Sequence, residues 1–246
     1  MIFLKIGGSV ITHKSRPFTV NWTGINTAVQ GIKEIEGPLL VGHGGGSFGH
    51  FVAREYEGMP QAFTKIREAM AKLNQIFVSS LVAKGVPAVG FTPSNFMIAK
   101  GGKVKLFHEP LLEASKEHVP VVHGDAILDR ERGYVIFSTE RVFLELAKFI
   151  KPRRVLLASD GPVMSDGEPV KEVADWNFRD VLEGLTPPKH TDVTGGMRGK
   201  LLEAARISAK HGAEVYIFDG SVPGAIKRAW KFGEGTRVRV TRVPSL

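Results

Sequence analysis

Two glycine-rich turns with polar partners stand near the start of the chain. Lys5-Ile6-Gly7-Gly8-Ser9 follows the first apolar run, and Gly44-Gly45-Gly46-Ser47-Phe48-Gly49-His50 follows the second. Glycine lets a backbone approach an anion and aim successive N–H groups at it, and a helix start beyond the turn adds a favourable dipole. Two such turns predict a phosphate on each side of a reaction. A third element, Thr194-Gly-Gly-Met-Arg-Gly-Lys200, opens a segment of helical period and puts a lysine one turn inside it, where the β- or γ-phosphate of a nucleotide fits. Lys5, Lys14 and Lys200 then form a cationic set around a transferred group. Phosphoryl transfer is catalysed mainly by positioning and by neutralising the charge that spreads over the equatorial oxygens, so lysines, amides and a magnesium ion suffice.

Other phosphate and metal chemistries fit less well. Gly44-x-Gly46-x-x-Gly49 has the spacing of a dinucleotide fingerprint, but the acid expected about 20 residues on falls at Glu68, inside a helical segment instead of at a strand end. No Gly-x-x-x-x-Gly-Lys-Ser/Thr run occurs. The histidines form no His-Glu-x-x-His, and the absence of cysteine removes thiolate catalysis, disulfides and cysteine-ligated metals, so no protein-held metal is expected.

The elements that must position these groups read as an α/β protein. Apolar, strand-length runs at Ile2–Ile6, Pro38–Gly42, Ala88–Phe91, Val119–His123, Val155–Ala158, Val215–Phe218 and Val238–Thr241 alternate with segments of helical period. Those segments run from Asn21 or Thr23 to Ile35, then over Thr64–Ala83, Glu140–Ile150, Gly196–His211 and Pro223–Phe232. The pattern predicts a three-layer αβα sandwich around a largely parallel sheet. Two hairpins interrupt it, with turns at Gly101-Gly102 and Arg130–Gly133, and such inserts tend to form lids or ligand walls. A helix ends and a strand begins near Lys151-Pro152, which predicts two lobes, 1–150 and 151–246, on one continuous sheet.

Length and charge bound the partners. With 246 residues, 43% hydrophobic and 24% charged, the chain suits one large domain. No apolar run approaches the roughly 20 residues that cross a bilayer, and Met1-Ile-Phe-Leu-Lys-Ile lacks a cleavage pattern, so a cytoplasmic protein is expected. The net charge of +8 is spread in short clusters such as Lys151-Pro-Arg-Arg154 without interleaved aromatics, which reads as a solvated basic surface, compatible with a small polyphosphate ligand, and no nucleic acid or membrane partner is expected. Met70, Leu73, Phe77 and Leu81 recur at helical spacing on the long helix, a pattern that serves ordinary core packing as well as an apolar ligand wall.

The motifs, in this order, resemble the amino acid kinase family: Lys5-Ile-Gly-Gly-Ser-Val-Ile-Thr-x-Lys14, Gly44-Gly-Gly-Ser-Phe-Gly-His50, and Asp192-Val-Thr-Gly-Gly-Met197 with Lys200. Within it, the Ser-Phe-Gly-His ending is similar to the isopentenyl phosphate kinases and the related fosfomycin kinases, whose substrates already carry a phosphate or phosphonate. The resemblance implies the amino acid kinase fold, a homodimer, ATP with magnesium, and phosphorylation of isopentenyl phosphate to isopentenyl diphosphate, the alternatives being a kinase for another small phosphate or phosphonate such as fosfomycin, or a non-catalytic nucleotide-binding regulator. By position it implies that Lys5, Ile6, Gly7, Gly8 and Ser9 hold ATP phosphates, with Lys5 and Lys14 stabilising the transition state. Gly45 would give its amide to the acceptor phosphate and Gly46 to the nucleotide side, while His50 anchors the acceptor. Asp160, Gly196 and Lys200 would complete the nucleotide site. The sequence departs from the family at Thr139 and Glu140, where a glycine touching the acceptor and an aspartate organising the lysines are usual, and at Ser159-Asp160-Gly161, one residue short of the usual turn. Thr139 is expected to narrow the acceptor pocket, and the longer Glu140 to orient a lysine.

Overall fold

The computed structural model describes residues 1–185 and 195–242. The chain opens with β1 (Ile2–Ile6), the short α1 (Gly8–Ile11) and α2 (Trp22–Lys33), then β2 (Leu39–His43), α3 (Gly46–Glu55) and the long α4 (Ala62–Ala83). Next come β3 (Ala88–Gly90), α5 (Pro93–Phe96), the hairpin β4 (Met97–Lys100) and β5 (Lys103–Leu106), and α6 (Glu109–Ala114). β6 (Val119–His123) leads into the second hairpin, β7 (Asp125–Asp129) and β8 (Gly133–Phe137), and then α7 (Thr139–Ile150). The remainder is β9 (Arg154–Ser159), the small hairpin β10 (Met164–Ser165) and β11 (Glu168–Pro169), β12 (Glu172–Ala174), α8 (Phe178–Glu183), α9 (Gly196–His211), β13 (Glu214–Asp219), α10 (Ala225–Phe232) and β14 (Thr236–Arg239).

Eight strands form one sheet in the order β12-β14-β13-β9-β1-β2-β6-β3, and every neighbouring pair is parallel except β13 with β14. Alternation along the strands sends successive side chains to opposite faces. Phe3, Val155 and Leu157 pack with α7 and α9 on one face, and Leu4, Ile6, Leu156 and Ala158 pack with α2, α4 and α10 on the other. The three-layer αβα sandwich expected from the sequence is the structure found.

Differences from the sequence reading are local. β2 begins at Leu39, one residue after Pro38, whose carbonyl accepts from the Ile2 N–H at 2.9 Å. β14 lies two residues earlier than expected and runs antiparallel, and β12, three residues flanked by charge, carries no legible pattern. Asn21 is the cap of α2: its side-chain oxygen accepts from the Gly24 N–H at 3.0 Å. The two predicted hairpins join through β4 and β7 into a second, four-stranded sheet of order β5-β4-β7-β8.

The strand order places a crevice. β1 has β2 on one side and β9 on the other, so the chain moves outward in both directions from β1. At such a switch the loops leaving the carboxyl ends of neighbouring parallel strands diverge and leave a gap, where ligands of open α/β sheets bind.

Candidate active site

A cleft of about 810 Å³ opens over the carboxyl ends of β1, β2, β6 and β9. The first turn begins where β1 stops: the Gly7 N–H donates to the Ala158 carbonyl at 2.8 Å, and the chain then winds into α1. The second turn leaves β2, and α3 starts inside it at Gly46. The two turns touch backbone to backbone. A Cβ on Gly8 would stand 2.2 Å from the Gly46 nitrogen, and Gly46 itself takes φ +47°, with its missing Cβ site only 2.0 Å from Thr12 Oγ1. Thr12 fastens the pair, since its hydroxyl donates to the Gly8 carbonyl at 2.7 Å and accepts from the Ser47 N–H at 2.9 Å. The N–H groups of Gly8, Ser9, Gly45 and Gly46 meet no acceptor among the described residues, and all four residues line the cleft. Unpartnered amides converging on one space form an anion cradle.

Cations gather at one end. Lys5 is 8% exposed and its Nζ pairs with Glu140, 2% exposed, on the first turn of α7. Burial opposes the charged form of Glu140, but Lys5 and Lys200 outweigh it and hold the carboxyl below its usual range. Lys200, one turn into α9, donates to Ser159 Oγ. Lys14 reaches across from the loop after α1 to Asp160 at the end of β9, 2.5 Å away, with both side chains half exposed. Burial works against the Asp160 carboxylate as well, and the hydrogen bond and charge of Lys14, with Lys200, bring it down to about 2.

The other end is quieter electrostatically and more apolar. Gly45, Gly49 and His50 face it from the start of α3, with Arg54 one turn beyond His50. Ile66 and Met70 of α4 and Ile136 and Phe137 of β8 wall it, so the second hairpin forms one wall of the cleft. Asp125, at the foot of that hairpin, is buried, which raises its pKa, and it accepts from the Ser94 N–H at 3.1 Å and from the Ala126 N–H at 2.9 Å.

Most residues singled out in the sequence meet here: Lys5, Gly7, Gly8, Ser9, Lys14, Gly45, Gly46, His50, Thr139, Asp160, Gly196 and Lys200 all line the one cleft. Ile6 does not. Its side chain is fully buried beneath the sheet and its carbonyl accepts from the Gly44 N–H at 2.9 Å, so this residue of the first motif serves the core. Thr139 is 1% exposed, with its hydroxyl donating to the His43 carbonyl at 2.7 Å and its methyl over Gly42. The extra Cβ is therefore absorbed between β2 and α7, and little of it reaches the cleft. Met70 lines the cleft, whereas Leu73, Phe77 and Leu81 are wholly buried in the core. Asp192, Val193 and Thr194 of the third motif lie outside the described residues. Sequence reasoning passed over His43 and His123, which are fully buried under the cleft floor; the signal was present as two His-Gly dipeptides at strand ends.

No group of three or more His, Asp or Glu side chains among the described residues could hold a metal ion. The two carboxylates nearest the lysines are already paired with them. The lysines and unpartnered amides of the cleft suit the phosphates on which a nucleotide carries its magnesium.

The sequence matches the amino acid kinase family model over residues 1–219. It is 34% identical to the isopentenyl phosphate kinase of Methanothermobacter thermautotrophicus over 267 aligned positions, covering 99% of this chain and 98% of that protein. It is 31% identical to the isopentenyl phosphate kinase of Methanocaldococcus jannaschii, covering 93% of this chain and 94% of the relative. An X-ray structure of isopentenyl phosphate kinase superposes with a TM-score of 0.80 at 28% identity, covering 97% of this chain and 99% of that one. Matched by the family model over residues 1–219 and by these relatives over almost its whole length, the chain belongs to the amino acid kinase family, in the branch of the isopentenyl phosphate kinases.

Proposed function

We propose that the protein transfers the γ-phosphoryl group of ATP to the terminal phosphate of isopentenyl phosphate, giving isopentenyl diphosphate and ADP. The observation that carries this reading is the single cleft in which two glycine turns meet backbone to backbone, with lysines at one end and His50 beside an apolar wall at the other. Such a cleft has one end for a polyphosphate and one for a phosphate bearing a small hydrocarbon.

ATP phosphates lie against the Gly8 and Ser9 amides with Lys5, Lys14 and Lys200 around the γ-phosphoryl group, and Gly46, Asp160 and Gly196 complete the donor side. Gly45 N–H and His50 hold the acceptor phosphate, and Ile66, Met70 and Ile136 face its hydrocarbon. An oxygen of that phosphate attacks the γ-phosphorus in line, the bond to the β–γ bridging oxygen breaks, and ADP leaves with the electron pair. Because the attacking oxygen is already anionic near neutral pH, no general base is needed. Lys5, fixed by Glu140, stays in place and neutralises the charge that develops, while the exposed Lys14–Asp160 pair is weak enough for Lys14 to exchange Asp160 for phosphate. Magnesium bound to the nucleotide supplies further charge neutralisation on the phosphates.

The same reading assigns the acceptor to residues 1–150 and most of the nucleotide to residues 151–246, and takes the enzyme to be a cytoplasmic homodimer. No helix among the described residues is long and apolar enough to cross a membrane, and Val82 on α4 and Val89 on edge strand β3 offer exposed apolar surface. Light scattering on the purified protein tests the dimer.

ADP release measured with isopentenyl phosphate, with fosfomycin and with buffer alone tests the reaction. Turnover is expected with isopentenyl phosphate, and its absence with ATP binding intact overturns the assignment.

A further inference from the structure

Two histidines outside the reaction just described lie beneath the cleft floor. His43 ends β2 and His123 ends β6, side by side in register, and both are fully buried. Each ring turns back on the glycine that follows it: His43 Nδ1 lies 3.1 Å from the Gly44 carbonyl and His123 Nδ1 lies 2.9 Å from the Gly124 carbonyl. The rings are 5.5 Å apart, and Phe77 stands edge-on to His43.

Burial, reinforced by the neighbouring His123 and by Lys5, brings the His43 pKa to about 3, and burial brings His123 to about 4. Both rings are neutral at physiological pH, with one proton each. A carbonyl oxygen can only accept, so the His123 proton sits on Nδ1, and His43 has the same carbonyl contact at its own Nδ1. Asn74 Oδ1 lies 3.1 Å from His43 Nε2; one ring proton cannot serve both that oxygen and the Gly44 carbonyl, so the Nδ1–H form of His43 goes with the Asn74 amide turned to present its NH₂ group to Nε2.

This fixes a peptide plane. In a trans peptide the carbonyl and the following N–H point in opposite directions. With the Gly44 carbonyl held down by a buried imidazole, the Gly45 N–H points up, and that N–H has no acceptor among the described residues. Glycine at 44 and 45 leaves the peptide free to rotate otherwise.

We propose that His43 is a positioning residue for the acceptor: its Nδ1–H holds the Gly44 carbonyl so that the Gly45 N–H faces the phosphate to be phosphorylated, with Asn74 fixing the tautomer from behind. The proposal rests on the reading of Gly45 and His50 as the acceptor's contacts. His123 and Gly124 repeat the geometry one strand over.

Four measurements test it. In ¹⁵N-labelled wild-type protein, the His43 ring is expected in the Nδ1–H form; the Nε2–H form overturns the proposal without any mutation. Asparagine's terminal nitrogen reaches the place of ring Nδ1 and glutamine's reaches that of Nε2, so the two substitutions separate orientation from filling. His43→Gln should raise KM for isopentenyl phosphate about three- to tenfold, the scale of one neutral hydrogen bond, with KM for ATP within about twofold. His43→Asn should restore the acceptor KM to within about twofold of wild type. Equal losses in both variants, or equal rises in both KM values, mean that His43 only fills space and overturn it. His50→Ala separates the two levels. If it leaves the acceptor KM unchanged, the acceptor assignment fails and the proposal with it; if it raises that KM while His43→Gln does not, only the role of His43 fails.

Discussion

In the proposed reaction the two ends of the cleft handle phosphate by different means. At the donor end, positive side chains are matched by Glu140, Asp160 and the Ser159 hydroxyl, so that the site is close to electrically satisfied before any nucleotide arrives. At the acceptor end, phosphate is offered backbone amides of the second glycine turn and His50, over a floor of buried neutral imidazoles and beside an apolar wall. Donor-end chemistry is thus a matter of charge, and acceptor-end chemistry a matter of orientation. The distinction suits the ligands: a polyphosphate with magnesium is recognised by its charge, whereas a small monophosphate ester must be aimed.

The sharpest way to break the comparison is to damage both ends through the contact they share. Gly8→Ala puts a Cβ against the Gly46 backbone, so it should lower kcat/KM by about a hundredfold or more for either substrate, as steady-state kinetics would show. Loss confined to one substrate would mean the two turns are not one unit.

Removing charge should act on turnover. Lys5→Met is expected to cut kcat by about 10²–10³. It also strands Glu140, 2% exposed, without its cation, which costs about 3–5 kcal/mol of stability, so the substitution tests chemistry cleanly only beside Glu140→Gln. The double variant should recover most of the melting temperature and none of the rate.

At the other end, His50→Ala should raise KM for isopentenyl phosphate about tenfold while leaving KM for ATP nearly unchanged, consistent with loss of one charge-assisted hydrogen bond. A matching rise for ATP would erase the difference between the ends.

Acid should unsettle the floor before it unsettles the lysines. His43 and His123 are neutral in the fold but bind protons once unfolded, at the ordinary value of 6.5. Their contribution is therefore complete above about pH 6.5 and is lost as pH falls toward their folded values, about 3 and about 4, at ~1.4 kcal/mol per pH unit for each ring. Asp160 has the opposite sign of charge and a depressed value of about 2, so its contribution is present above the ordinary carboxylate value and goes only as pH falls below it. Melting curves from pH 7 to pH 5 should show a stability loss that His43→Asn reduces and Asp160→Asn leaves in place.

The smallest effect expected is from Asp160→Asn itself. The pair with Lys14 is half exposed and worth at most about 1 kcal/mol, so releasing Lys14 should change KM for ATP by no more than a few-fold.

The glycine motifs were legible because their chemistry is local: a turn that cradles an anion needs small residues and a nearby lysine in consecutive positions. Strands such as Ile2–Ile6 and Val155–Ala158 were legible because burial on both faces leaves an unbroken apolar run. β12 was not, since three residues at a sheet edge have too little pattern to read. Ile6 was misassigned to the nucleotide because position within a motif does not reveal which face of a strand a side chain takes.

By itself, then, the sequence determined the α/β architecture, the phosphate-binding turns and the lysines, all of which depend on residue type and short spacing. Only the tertiary structure decided that the two turns are one surface, that Thr139 spends its hydroxyl on the His43 carbonyl, that Glu140 holds Lys5, and that His43 lies beneath Gly44. Those are contacts between strand ends and helix starts far apart in the chain, set by sheet order and register, and no local pattern of residues encodes them.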